Sequence, residues 1–167
     1  MPLTHTLAAT GRYSKPLYLL SRLVAASATF QGMVSAANET AALGYVYWPF
    51  VDDTDNAYPP PRAIVSWWSW AIHEEARSNW SDMGSLSLSF EFPPNATYEG
   101  NTKDEFTYFG NVMSAILDEM AAKAGQDLPE GGGTYLTARK LMVHGADVEE
   151  TENGDRFYRM LVEVEFR

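Results

Sequence analysis

From residue 84 to residue 92 the chain alternates without interruption. Leu86, Leu88, Phe90 and Phe92 occupy one parity, while Ser85, Ser87, Ser89 and Glu91 occupy the other. Side chains along a strand point to opposite faces in turn. The pattern therefore predicts a β-strand with one face buried and one face wet. A strand of this kind needs partner strands and a layer over its apolar face. Pro93-Pro94 ends it, because proline cannot donate to a ladder.

Two further stretches supply that context. Thr102-Lys103-Asp104-Glu105 reads as a capping box, and Phe106, Phe109, Met113, Ile116, Leu117 and Met120 then mark one helical face. Asp118 and Lys123 lie off that face, and Gly125 is suited to a left-handed stop. At the C-terminal end, Asn153-Gly154 is a strong hairpin signal. Tyr158, Met160, Val162, Val164 and Phe166 follow on one parity, with Arg159, Glu163 and Glu165 on the other. Residues 135–144 and 146–151 read as extended. The closing part of the chain is thus a helix followed by strands, ending in a β-hairpin.

The first half is read the same way. Residues 1–13 show no periodicity and read as a flexible N-terminal arm. Ser14-Lys15-Pro16 starts a helix, and Leu17, Leu20, Val24 and Ala28 continue it until the pattern fades near Asn38. Residues 43–50 could form an edge strand limited by Pro49. Residues 62–70 read as another strand, and 71–83 are ambiguous. Residues 45–61 form an aromatic and proline-rich loop ending in Pro59-Pro60-Pro61. Gly131-Gly132-Gly133 reads as a flexible linker. The expected fold is a single α+β domain over 1–167, with two main helices on a mixed or mainly antiparallel sheet.

The 167 residues are 46% hydrophobic and carry a net charge of −10. That is enough apolar material for a sizeable core. The 12 basic residues are scattered, which argues against clustered phosphate binding and against an anionic membrane surface. An acidic wall is still compatible with nucleic acid sliding past it. No run approaches the about 20 apolar residues of a spanning helix, and the start lacks an apolar signal core. These features point to a cytoplasm-like compartment. The sequons at Asn38, Asn79 and Asn95 read as chance.

No catalytic, cofactor or metal site is expected. The chain has no cysteine, so disulfides, thiolate zinc sites and cysteine nucleophiles are excluded. His5, His73 and His144 are far apart. His73-Glu74-Glu75 lacks the second histidine of a zinc-protease helix, since position 77 is Arg77. No Gly-x-Ser-x-Gly elbow occurs, and the glycine run lacks a phosphate-loop ending. The acid pairs Asp52-Asp53, Glu74-Glu75 and Glu149-Glu150 read as solvated. The expectation is a binding protein, not an enzyme.

Interface candidates come from the aromatic excess and the proline-bounded loop. They are Trp48, Phe50, Asp52, Asp53, Asp55 and Tyr58, with Trp67, Trp68 and Trp70. In an unbroken strand Trp68 and Trp70 share a face while Trp67 points oppositely. Either both faces are covered by this chain, or one meets another subunit, where aromatics concentrate.

The order of these elements resembles the tail terminator, or tail completion, proteins of long-tailed bacteriophages. Residues 14–38 resemble their opening helix, and Pro61-Arg62-Ala63-Ile64-Val65 and residues 84–90 their paired strands. Residues 102–125 followed by 135–166 resemble their closing helix and sheet. The resemblance implies a homo-oligomeric ring, commonly a hexamer, that stops tail-tube growth and joins tail to head. It implies tail-tube and head-completion proteins as partners, DNA passing through the ring centre, and no cofactor. The protein would sit in the virion after assembly in the bacterial host cytoplasm. The loop 45–61 and residues 66–83 make this chain larger than a compact member. Two alternatives stand beside this reading. One is a small-molecule-binding α+β domain or enzyme with an aromatic-lined pocket, and the other a head-completion or tail-tube protein.

Overall fold

The computed structural model describes residues 14–48, 61–72, 82–92, 105–150 and 156–166. The arm 1–13, the hairpin turn at Asn153-Gly154 and the box opened by Thr102 lie outside them. The fold is α+β. Four helices are described, α1 (Ser14–Ala25), α2 (Ala28–Met33), α3 (Glu39–Leu43) and α4 (Glu105–Lys123). Five strands, β1 (Val46–Tyr47), β2 (Arg62–Ile72), β3 (Asp82–Phe92), β4 (Ala138–Glu150) and β5 (Arg156–Phe166), form one mixed sheet ordered β1-β2-β3-β5-β4. Among the described residues only the β1–β2 pairing is parallel.

The alternation in β3 organises this sheet. As the middle strand it pairs antiparallel with β2 on one side and β5 on the other. Leu86, Leu88 and Phe90 are fully buried, flanked in register by Trp67, Val65 and Ala63 of β2 and by Val164, Val162 and Met160 of β5. The helices cover this face, with α1 on β1 and β2 and α2 on α4. Phe30 of α2 meets Phe90 edge-on, with centroids 6.0 Å apart and planes at 68°. Burying each phenyl ring contributes roughly 1.5–3 kcal/mol, and their mutual geometry about 1 kcal/mol more.

The opposite face departs from the expected wet surface. Ser85 and Ser89 are half-buried, but Ser87 is only 7% exposed. Ser87 stands between Ser66 and Glu163 in register, so neighbours on both sides of a small side chain shade it. Glu91 is buried too, held by Arg62 directly opposite at 2.6 Å.

The helix expected over 14–38 is instead two short ones, α1 and α2, and a third, α3, begins at Glu39 just beyond that span. Ser27 breaks it: extended at φ −69 and ψ 124, its hydroxyl accepts from the Phe30 amide and restarts the chain as α2. Ser35, at φ 53, then stops α2, with the Ala36 amide donating back to the Gln31 carbonyl at 2.8 Å. Asn38 caps α3 by accepting from the Ala41 amide. Hydrophobic spacing runs from α1 into α2, so periodicity alone does not reveal the break between them.

The glycine run is a closed loop, not a linker. Asp127 bridges Thr134, and the Leu128 amide donates to the Gly133 carbonyl at 3.0 Å. Gly131 and Gly132, at φ 77 and 81, occupy backbone space that other residues enter at a cost. Gly125, at φ 77, ends α4 as expected. No helix among the described residues is long and apolar enough to cross a membrane.

Candidate interaction site

Two of the nine interface candidates have described side chains, and both are anchored inside the chain. Trp48 follows β1 and is half-buried. Its indole N–H donates to Ser21 Oγ at 2.9 Å, and that hydroxyl donates to the Leu17 carbonyl at 2.8 Å. A buried tryptophan needs such a partner, and α1 supplies it. Trp67 is also half-buried and tilts against Phe166 of β5, with centroids 5.9 Å apart. The two tryptophans therefore rest on different elements.

The expected facing of the tryptophan cluster does not hold along the backbone. A register shift falls between Trp67 and Ser69, with Trp68 as the extra residue. Trp67 stands opposite Leu86 and Trp70 opposite Gly84, two residues apart on β3. Positions 67 and 70 thus take alternate places along the partner strand, which simple alternation does not allow. Bulges bend a strand and increase its twist. Phe50, Asp52, Asp53, Asp55 and Tyr58 lie outside the described residues, as do His5 and His73.

The densest polar chemistry lies elsewhere, around Arg22. This residue is on α1 and only 4% exposed. Its Nε donates to Glu39 Oε1 at 2.5 Å, and its two terminal nitrogens form a fork on the Glu130 carboxylate. One of those nitrogens also donates to the Tyr18 hydroxyl at 3.1 Å. Glu39 accepts in turn from the Tyr135 hydroxyl at 2.7 Å. The cluster ties α1, α3, the 127–134 loop and the approach to β4 together.

The electrostatics follow from this geometry. The fork on Glu130 raises the Arg22 pKa further above its ordinary value, against the opposing effect of burial. Burial, then the Glu39 carboxylate, pushes the Tyr135 phenol well up. The Lys123 ammonium lies 5.6 Å from the centre of the Tyr135 ring. A guanidinium with this many internal acceptors holds the fold and does not offer its N–H groups to an incoming anion.

A second polar tie joins α4 to α2. The Glu119 carboxylate accepts from the Ser27 hydroxyl at 2.6 Å, the Thr29 hydroxyl at 2.8 Å and the Thr29 amide at 3.1 Å. Burial raises its pKa, but the donors from Ser27, Thr29 and Ala28 outweigh burial and hold it below the usual range. Sequence reading missed both ties. Arg22 and Glu39 are 17 residues apart, and Arg22 and Glu130 are 108 apart. No local pattern encodes such pairings.

On the other side of the sheet, His144 of β4 lies 2.5 Å from Glu163 of β5, and both are partly solvated. Hydrogen bonds from Ser85 and then His144 lower the Glu163 pKa. No group of three or more histidines and carboxylates among the described residues could hold a metal ion. No family model matches the chain, and a search of curated proteins finds none similar to it.

Proposed function

We propose that this chain is a structural virion-assembly protein of the tail terminator kind, capping a tail tube as a ring and joining it to the head. The observation that carries this reading is the element order. An opening helical segment, paired strands, a long helix and a terminal hairpin are joined in one mixed sheet with helices on one face. The internal use of the buried charges supports it, because Arg22 and Glu119 serve as ties between elements. What the chain then offers a partner is surface shape and strand edges.

The mechanism is geometric. Ring closure uses each subunit's head-to-tail contact once and leaves no end for further growth. A net charge of −10 suits a channel that DNA passes through without adhering. The partners in this reading are further copies of the chain, the tail-tube protein and a head-completion protein. The protein has no catalytic role in it.

The test is assembly with polymerising tail-tube subunits, imaged by negative stain. The expected result is tubes of limited length, each ending in a ring. Unrestricted tube growth with this chain left free in solution would contradict the proposal. Tubes built of this chain itself would reassign it to the tube.

A further inference from the structure

Strand β4 closes one end of the sheet, so among the described residues no strand lies against its outer edge. An edge of this kind presents amides and carbonyls that another strand can pair with. β4 also carries features that discourage indiscriminate pairing. Register shifts fall between Ala138 and Lys140 and between Val143 and Gly145, and the Lys140 side chain is exposed. These act against any passing strand, so a stable partner must bring something specific.

The charge order of β4 names that partner. The strand runs from basic to acidic, with Arg139 and Lys140 near its start and Asp147, Glu149 and Glu150 near its end. On its inner side β5 answers with the reverse order. Register sets Lys140 opposite Glu165, Asp147 opposite Arg159, and Glu150 opposite Arg156. A second β4 laid antiparallel on the outer edge presents the same reverse order, acidic end beside basic end at both extremes. Opposite charges facing across strands stabilise a pair, and like charges destabilise it.

We propose that β4 is a self-complementary docking edge, pairing antiparallel with β4 of a second copy about a two-fold axis near Gly145. Lys140 of each copy then lies beside the Glu149-Glu150 pair of the other. One observation at the axis fits. Val143 is 52% exposed although its cross-strand neighbour Val162 is fully buried, so an apolar side chain stands uncovered there. A side chain added at Gly145 meets no atom within 4 Å, so a thiol placed there has open space around it.

This contact goes beyond the ring reading and does not depend on it. A two-fold contact is complete at two copies, and on rings it would join one ring to another back to back.

The chain has no cysteine, so Gly145→Cys gives it a single thiol. A short bis-maleimide, which tolerates a one-residue slip, should link two copies through position 145. The exposed helix position in Ser114→Cys should link much more slowly. Sedimentation velocity supplies the second arm. Lys140→Glu alone, and Glu149→Lys with Glu150→Lys, each place like charges together twice by symmetry. Each should weaken self-association at least about tenfold. An equimolar mixture of the two variants should recover it, which a folding defect would not do. Equal linking at 145 and 114, or no recovery on mixing, would overturn the proposal.

Discussion

The Arg22 cluster and the His144–Glu163 pair each set a nitrogen-bearing side chain against carboxylate, at different degrees of exposure. Arg22 is withdrawn from water and bound by two carboxylates from elements remote in sequence. His144 keeps a 39% exposed side chain and meets its carboxylate across a single strand pair. In the first case the guanidinium and the Glu39 carboxylate have lost most of their water and depend on each other, while the Glu130 carboxylate stays 54% exposed. In the second, water reaches the histidine ring, while the Glu163 carboxylate is 13% exposed. One end of the molecule is a closed tie. The other is a cross-strand pair whose histidine is reached by solvent.

The largest expected effect comes from breaking the closed tie. Arg22→Ala leaves the Glu39 carboxylate poorly solvated and removes the anchor of the 127–134 loop. It should cost about 3–5 kcal/mol in urea unfolding at neutral pH. Replacing Glu39 by Gln as well should recover part of that loss, because the stranded charge disappears with it.

An intermediate effect is expected at Glu119. Glu119→Gln keeps the shape but gives up charge-assisted acceptors for Ser27 and Thr29, at a cost of about 1–3 kcal/mol. The pH dependence sharpens this. Because the folded pKa of Glu119 is depressed, its contribution is complete above the ordinary carboxylate value. It is lost as pH falls through the lower folded value. Wild type should therefore lose stability on acidification faster than Glu119→Gln, measured as urea midpoints across an acid series.

The smallest effect belongs to the open surface. Glu163→Gln should leave the unfolding midpoint at neutral pH unchanged within error. A loss comparable to that of Glu119→Gln would show the β4–β5 pair to be structural and would erase the contrast drawn here.

How much of this was legible in the sequence follows from the reach of each signal. The alternation of β3 and β5 and the stripe of α4 are local, and each appears where its period places it. The break at Ser27 was hidden because α1 and α2 bury one continuous apolar set, Leu20, Val24 and Phe30 included. The tryptophan facing failed because a bulge adds a residue that composition does not announce. The Arg22 cluster had no signal, because its carboxylates reach it only through the tertiary fold. The exposed edge of β4 depends on strand order, which a chain read end to end does not contain.

The central claim is that this protein acts by assembling through its outer surfaces while its buried charges hold the fold. Native mass spectrometry of the purified chain over a concentration series tests it most directly. The account predicts closed multiples of the 18.6 kDa subunit that grow with concentration and then stop. A lone 18.6 kDa species at every concentration, unchanged by added tail-tube protein, would contradict it.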